Sequence, residues 1–168
     1  MADSYRLQVL KALTSVLEGI DPSSLEAGVT SMTGRVFRGR AVFGANDPLT
    51  MLSILESPRP SGANYTGDNY ARNETWVLLV QGWCKDDKDN PTDPSYAFLD
   101  LVEQRLDRVT RRRNSDGGPM YAEHYMLGNL ISDFRPGQPV VRPPNADGVS
   151  SKAVFYLPVQ VGLARIGA

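Results

Sequence analysis

The stretch "ETWVLLVQGWCKDD", from Glu74 to Asp87, contains both tryptophans and the only cysteine of the chain. Its central part, Thr75–Trp83, has no charged residue. Alternate side chains of a strand point to opposite faces, and here both alternating sets are mostly apolar. Such a run is typical of a strand that is covered on both sides. We therefore predict a central strand of a sheet, with Val77–Val80 fully buried.

Length and composition indicate one ordinary globular domain spanning residues 1–168. The chain has 168 residues, of which 41% are hydrophobic and 22% charged, and its net charge is −1. This charge gives no general electrostatic reason to bind nucleic acid or an anionic membrane. One cysteine cannot form an internal disulfide. The N-terminal residues lack the basic start and apolar block of a signal peptide, and no apolar run is long enough to span a membrane.

Helical patterns appear in three places. The first opens the chain, with Asp3 or Ser4 as its cap and apolar residues at helical spacing behind it. In the second, "DPSYAFLDLVEQRL", Asp93 is the predicted cap and Pro94 takes the first helical position, where its missing N–H does no harm. The third and weakest covers Pro119–Ser132.

Strand patterns precede and follow the helices. Thr33–Gly44 is the first predicted strand, with Arg38 and Arg40 on one face, and Leu49–Glu56 is the second. The segments "GQPVVRP" and "SKAVFYLPVQVGLARI" close the chain as two more strands. Pro158 cannot donate to a ladder, so the last strand lies at an edge or has that position pointing outward.

This order of elements predicts an α+β domain. We expect a mainly antiparallel mixed sheet of about five strands, with two or three helices packed on one face. Within the quoted strand, Gly82 marks a bulge or a close approach of another backbone segment. A long loop, residues 57–74, interrupts the strands and carries Tyr65 and Tyr70. Loops of this length are uncommon in compact domains and are often functional, so we expect this one to project from the body.

Motifs of catalysis are absent from the sequence. It contains no GxGxxG, GxxxxGK[ST], HExxH or GxSxG pattern. One histidine, His124, and one cysteine, Cys84, do not make a common zinc site without carboxylates. A lone histidine in this context is more often a surface or interface residue than a general base, and the cysteine is most simply a small buried residue. The segment Lys85–Asn90 has the composition of a solvated charged turn.

Five arginines are concentrated in "RLDRVTRRR", Arg105–Arg113, at the end of the second helix. Cations there complement the helix dipole, which is a purely structural explanation. The functional explanation is contact with an acidic partner or with passing nucleic acid. Aromatic residues are not interleaved with these arginines, as single-strand binding would require. We predict interface roles for the following residues: Arg38, Arg40, Tyr65, Tyr70, Arg108, Arg111, Arg112 and Arg113.

The pattern of the whole chain resembles the tail terminator, or tail completion, proteins of long-tailed bacteriophages. The resemblance rests on four segments: an amphipathic helix ending in "LEGIDP"; "GRVFRGR" followed by a turn and "LTMLSILES"; "TWVLLVQGWCKD" followed by "PSYAFLDLVEQRL"; and the ending "PVVRPPNADGVSSKAVFYLPVQVGLAR". It is a likeness of pattern over most of the chain and contains no sharp signature.

The resemblance implies a virion structural protein without a cofactor. Members of that family form a hexameric ring that caps the head-proximal end of the tail tube and stops its polymerisation. The implied partners are other copies of the chain, the tail tube protein and a head-completion or neck protein, with the tail sheath protein as a further candidate. DNA would pass through the ring without sequence-specific binding. The implied location is the tail of the virion, assembled in the host cytoplasm.

Three other functions stay open at this point. The chain could be another neck component or a tail tube protein, although a tube protein would have an extended β-sandwich. It could be a small enzyme that uses His124 with carboxylates, which a cluster of acidic side chains around that histidine would favour. It could also be a monomeric bacterial adaptor domain, which its oligomeric state would distinguish from a ring.

Overall fold

The computed structural model describes residues 2–42, 44, 46–56, 73–144 and 152–164. These residues form three helices and one sheet of six strands. The helices are α1 Tyr5–Glu18, α2 Asp93–Leu106, continued by a 3-10 turn Asp107–Val109, and the four-residue α3 Met126–Asn129. The strands are β1 Val36–Arg38, β2 Met51–Glu56, β3 Asn73–Lys85, β4 Asp133–Pro136, β5 Val140–Arg142 and β6 Lys152–Ala164. The predicted α+β class is confirmed, with six strands instead of about five.

The sheet is built around the long pair β3 and β6. These two strands are antiparallel over 13 residues each, from Asn73 opposite Ala164 to Lys85 opposite Lys152. The strand order is β1-β2-β3-β6-β4, and β5 pairs with the same edge of β6 as β4 does. Only β1 and β2 run parallel among the described strands, so the sheet is mixed and mainly antiparallel, as predicted.

One face of the sheet carries the core. On it, Trp76, Leu78 and Val80 of β3 lie opposite Val161, Val159 and Leu157 of β6, and all six side chains are buried. The apolar stripes of α1 and α2 belong to the same cluster. In α2, the Phe98 ring meets the Phe155 ring edge to face, with ring centres 5.3 Å apart. The helices therefore pack on one face, as the sequence predicts.

The other face of the sheet is not fully covered by the described residues. Val77 is 39% exposed and Leu79 is half-buried, whereas their neighbours Leu78 and Val80 are buried. The prediction that Val77–Val80 is fully buried is therefore wrong. The apolar run reflects two different surfaces, a core face and a face that no described helix covers.

The position of Pro158 explains how a proline fits inside this sheet. β6 is a central strand, so the edge alternative is wrong. The Gly137 N–H donates to the Pro158 carbonyl over 2.7 Å, at the point where the chain passes from β4 to β5. The backbone nitrogen and carbonyl of one residue point to the same edge of a strand. The nitrogen of Pro158, which has no hydrogen to donate, therefore also faces the place where the chain passes from β4 to β5. The alternative of an outward-pointing position is the one observed.

The helix starts differ from prediction by at most one residue. Ser4 caps α1, its Oγ accepting a hydrogen bond from the Leu7 N–H over 3.4 Å. The cap position of α2 is Thr92, so Asp93 is the first helical residue and Pro94 the second. A proline at either position lacks only an N–H that has no partner in the helix.

The predicted third helix, Pro119–Ser132, is mostly wrong. Only Met126–Asn129 is assigned as helix, and within it Leu127 and Gly128 have left-handed backbone angles. Left-handed residues do not propagate a right-handed helix. The buried Leu127 side chain holds this turn against the core, and the short strand β4 follows it.

Candidate functional site

The arginines at the end of α2 fall into two groups with different surroundings. In the first group, Arg111 pairs with Asp107 over 3.0 Å and Arg113 with Asp116 over 2.9 Å. Arg112 donates to the Gly117 carbonyl over 3.0 Å. The positive charge of this group is thus partly neutralised by carboxylates of the same chain. These pairs are exposed, so each contributes only about 0–1 kcal/mol.

The second group, Arg105 and Arg108, borders a cavity. The cavity has a volume of about 450 Å³ and lies where the ends of α1 and α2 meet. Its lining comprises Gly19, Ile20, Asp21, Leu101, Gln104, Arg105, Asp107, Arg108, Arg111 and Tyr121. It therefore joins two helix ends in one mixed-charge surface.

Arg105 is fixed at this cavity by the end of α1. Its Nε donates to the Val16 carbonyl over 2.6 Å, an acceptor in the last turn of α1 that also receives the Gly19 N–H. A side chain at Gly19 would overlap the Arg105 guanidinium, which is why a glycine suits that position. Burial lowers the pKa of Arg105, and the neighbouring Arg108 adds to that effect. Arg105 was not among the predicted interface residues, although its i,i+3 spacing to Arg108 could have indicated a shared helix face.

Arg108 contacts an aromatic ring instead of a carboxylate. Its guanidinium carbon is 4.1 Å from the centre of the Tyr121 ring. Within the described ranges, neither Arg105 nor Arg108 forms an ion pair with an acidic side chain. The cavity thus has two cations that lack a carboxylate partner in the described part of the chain.

His124 lies beside these arginines and is half-buried. Its Nδ1 is buried without a hydrogen-bond partner. Burial lowers the pKa of His124, Arg105 and Arg108 lower it further, and Glu123 opposes them. The described residues contain no group of three His, Cys, Asp or Glu side chains that could hold a metal. The acidic cluster that would favour a catalytic histidine is not found here among the described residues.

The lowered pKa of His124 predicts a pH dependence of stability. The unfolded chain takes up a proton near the ordinary value of 6.5, whereas the folded chain resists protonation until lower pH. Stability is therefore complete above pH 6.5 and falls as the pH decreases below it. We expect His124→Gln to lose less stability than the wild type between neutral pH and about pH 5. Urea denaturation at each pH measures this, and parallel losses in both proteins would contradict it.

Cys84 has the properties of a structural residue. It is buried, and its Sγ lies 3.8 Å from Ser95 Oγ. Burial raises the pKa of the Cys84 thiol to about 11. Since the thiolate is the nucleophilic form, this thiol is unreactive near neutral pH. The interpretation of Cys84 as a small buried residue is confirmed.

Arg38 and Arg40 do not share a strand face, contrary to prediction. β1 ends at Arg38, because Gly39 has a φ of +81° and turns the chain. Arg38 donates to Thr14 Oγ1 of α1 over 3.0 Å. Arg40 stacks on Phe37, with its guanidinium carbon 3.9 Å from the ring centre, and pairs with Asp47. The two arginines therefore serve contacts within the fold on opposite sides of the sheet.

The second sheet face is covered over part of its area and open over the rest. In the covered part, the Arg40 N–H donates to Ser53 Oγ, and Lys152 Nζ donates to the Pro48 carbonyl. Further along β3, Val77 is 39% exposed, and at the β5 edge Val140 is 48% exposed. Half-buried apolar side chains lie between and around them: Leu55, Leu79, Tyr156 and Pro158. A shallow depression of about 370 Å³ lies beside Val140, Arg142 and Tyr156.

The loop prediction concerns residues that lie mostly outside the described ranges. Of residues 57–74, only Asn73 and Glu74 are described, and they belong to β3. Tyr65 and Tyr70 lie outside the described residues, and their predicted interface role stays a prediction.

Comparison with known proteins adds no assignment. No family model matches the chain, and no curated protein matches it. Among the described residues, no helix is long and apolar enough to cross a membrane.

Proposed function

We propose that this chain is a virion structural protein of the tail terminator type. In this proposal, six copies form a ring at the head-proximal end of a phage tail tube, end its polymerisation and join the tail to the neck. The proposal rests on the resemblance of the sequence pattern, and it is supported by an α+β fold with two long helices on one face of the sheet. It needs no cofactor.

The observation that carries the assembly part of the proposal is the open part of the second sheet face. An antiparallel sheet that faces water on one side normally has polar residues there. Here the exposed positions include Val77 and Val140, with further apolar side chains around them. Exposed apolar patches on a sheet mark interaction surfaces. This is the surface expected of a subunit whose partners complete its burial.

The mechanism of such a ring is geometric. Head-to-tail contacts between identical subunits close into a ring when the rotation between them permits it. One face of the ring would then bind the tail tube protein and the other a head-completion or neck protein, with the tail sheath as a further contact. The lumen would let DNA pass without reading its sequence.

The alternatives receive less support from the fold. A tail tube protein would be an extended β-sandwich, whereas here helices cover one face of a single sheet. Another neck component stays compatible with the same surfaces. An enzyme using His124 would need carboxylates beside it, and two of the charged groups acting on it are arginines.

A tube-capping assay tests the proposed function. The purified chain is added to the polymerising tail tube protein of the same genome, and tube lengths are measured by electron microscopy. We expect tubes to stop growing and to carry a ring at one end. Tubes of unchanged length, without rings at their ends, would contradict the proposal.

Two matched variants connect this assay to the open sheet face. Val77→Glu places a charge in the apolar patch and is expected to abolish capping. Val42→Glu makes the same change at a valine that is 77% exposed and lies outside the sheet, so capping should persist. Equal capping by both variants would remove this sheet face from the proposed mechanism.

A further inference from the structure

We infer that the cavity between the ends of α1 and α2 receives the charged turn Lys85–Asn90 of a second copy of this chain. The inference rests on the proposed function, because it names the contact that would join neighbouring subunits of the ring. Its basis is a pair of cations without carboxylate partners at one end of α2 and a set of unpaired carboxylates at the other.

The charges of the cavity favour a mixed-charge peptide over a phosphate backbone. Asp21 and Asp107 contribute carboxylates to the lining, and both are engaged, Asp21 with the Ser23 N–H over 2.9 Å and Asp107 with Arg111. These carboxylates repel a uniformly anionic strand. The cations Arg105 and Arg108 nevertheless lack acidic partners within the described ranges. A ligand with both signs of charge therefore complements the lining best.

The turn Lys85–Asn90 has this composition and a fixed shape. Asp87 Oδ1 accepts hydrogen bonds from the N–H groups of Asp89 and Asn90 over 2.9 and 2.8 Å. These bonds lower the pKa of Asp87. The carboxylates of Asp86 and Asp89 have no ion pair with any described cation. The turn thus presents two free carboxylates from a preformed backbone, which lowers the entropy cost of binding.

The position of the turn requires that the contact be intermolecular. The turn lies before the start of α2, and the cavity lies at the end of α2. A helix of 14 residues separates the two, which corresponds to roughly 20 Å. The turn cannot reach the cavity of its own chain, so it meets that of another. A contact between two different patches of identical subunits is heterologous, and it generates a ring when it closes.

Complementary charge reversal tests the contact. Arg108→Glu and Asp89→Lys are each expected to weaken subunit association about 10- to 100-fold at low salt, as measured by analytical ultracentrifugation. The loss should also depend on salt, because exposed charges are screened within about 3 Å at 1 M ionic strength. An equimolar mixture of the two variants should recover assembly. When the two variants alternate around the ring, each reversed cavity meets a reversed turn and each native cavity meets a native turn, so every interface pairs opposite charges.

The matched control is Lys11→Glu, which makes the same charge reversal at a cation paired with Asp3 outside the cavity. It should assemble like the wild type. Arg108→Gln keeps a hydrogen-bonding side chain over Tyr121 and should weaken association less than Arg108→Glu. Thermal midpoints of all variants show whether each is folded. Asp89→Lys changes an exposed turn, so it tests the contact even if the Arg108 variants unfold.

The outcomes separate this contact from the proposed function. If the wild type forms a ring and the Arg108→Glu and Asp89→Lys variants form it equally well, the proposed contact is wrong and the proposed ring still stands. A wild type that stays monomeric overturns both. Failure of the mixture to recover assembly also overturns the head-to-tail pairing. If the Arg108→Glu variant forms normal rings that no longer retain short DNA, the cavity faces the lumen instead of a neighbouring subunit.

Discussion

Replacing Trp76 by alanine is expected to lower the free energy of unfolding by about 3–5 kcal/mol. Trp76 is only 5% exposed, lies opposite Val161 in the central strand pair, and has the Arg6 guanidinium 4.9 Å from its ring centre. Its Nε1 is buried without a hydrogen-bond partner. Truncation also removes that unsatisfied donor, which offsets a small part of the loss. We therefore expect the loss of unfolding free energy to lie near the lower end of this range.

The control for this prediction is the adjacent residue on the other face. Val77→Ala removes part of a side chain that is 39% exposed, so it should change stability by less than about 1 kcal/mol in the isolated chain. Urea denaturation of both variants makes the comparison. Equal effects at Trp76 and Val77 would show that the two faces of β3 are not as different as described.

A second large effect is expected where β3 and β6 meet at Gly82. Gly82 lies opposite Phe155, and a Cβ at this position would overlap the Phe155 ring. Gly82→Ala should therefore destabilise the protein by about 1–3 kcal/mol through overpacking. Phe155→Ala alone should cost about 3–5 kcal/mol, because the ring is fully buried against Phe98.

The combination of these two changes makes the prediction specific. In the Phe155→Ala background the ring is absent, so Gly82→Ala should stabilise the protein by filling part of the cavity and by restricting a strand glycine. The effect of one substitution thus changes sign with the residue opposite it. Additive effects in this double-mutant cycle would contradict the register of β3 and β6.

Much of the fold follows from the longest patterns in the sequence. The helices α1 and α2 and the strands β3 and β6 each extend over 13 or 14 residues, so their apolar periodicity is unambiguous. Neither predicted explanation of Gly82, a bulge or a close backbone approach, is the one observed: the register of β3 is unbroken there, and the close neighbour is the ring of Phe155. The short strand β4 has four residues, two of which, Arg135 and Pro136, are exposed, and it is held by pairing with β6. Its pattern is too short to be recognised without that partner.

Other features could not be predicted because they depend on tertiary contacts. An apolar run on both faces of β3 does not distinguish a covered face from a face left open for a partner. The left-handed turn at Leu127 replaces a predicted helix because it directs this side chain into the core. For the candidate site, the sequence locates the arginine cluster. It does not indicate that Arg111 and Arg113 pair with carboxylates of their own chain, whereas Arg105 and Arg108 at the cavity have no such partner among the described residues.

Native mass spectrometry of the purified wild-type chain tests the proposed ring most directly. We expect a species with six times the 18.4 kDa mass of one chain, which dissociates into fewer copies when Val77 is replaced by Glu. A single-chain mass at micromolar concentration, unchanged by lowering the salt, would contradict it.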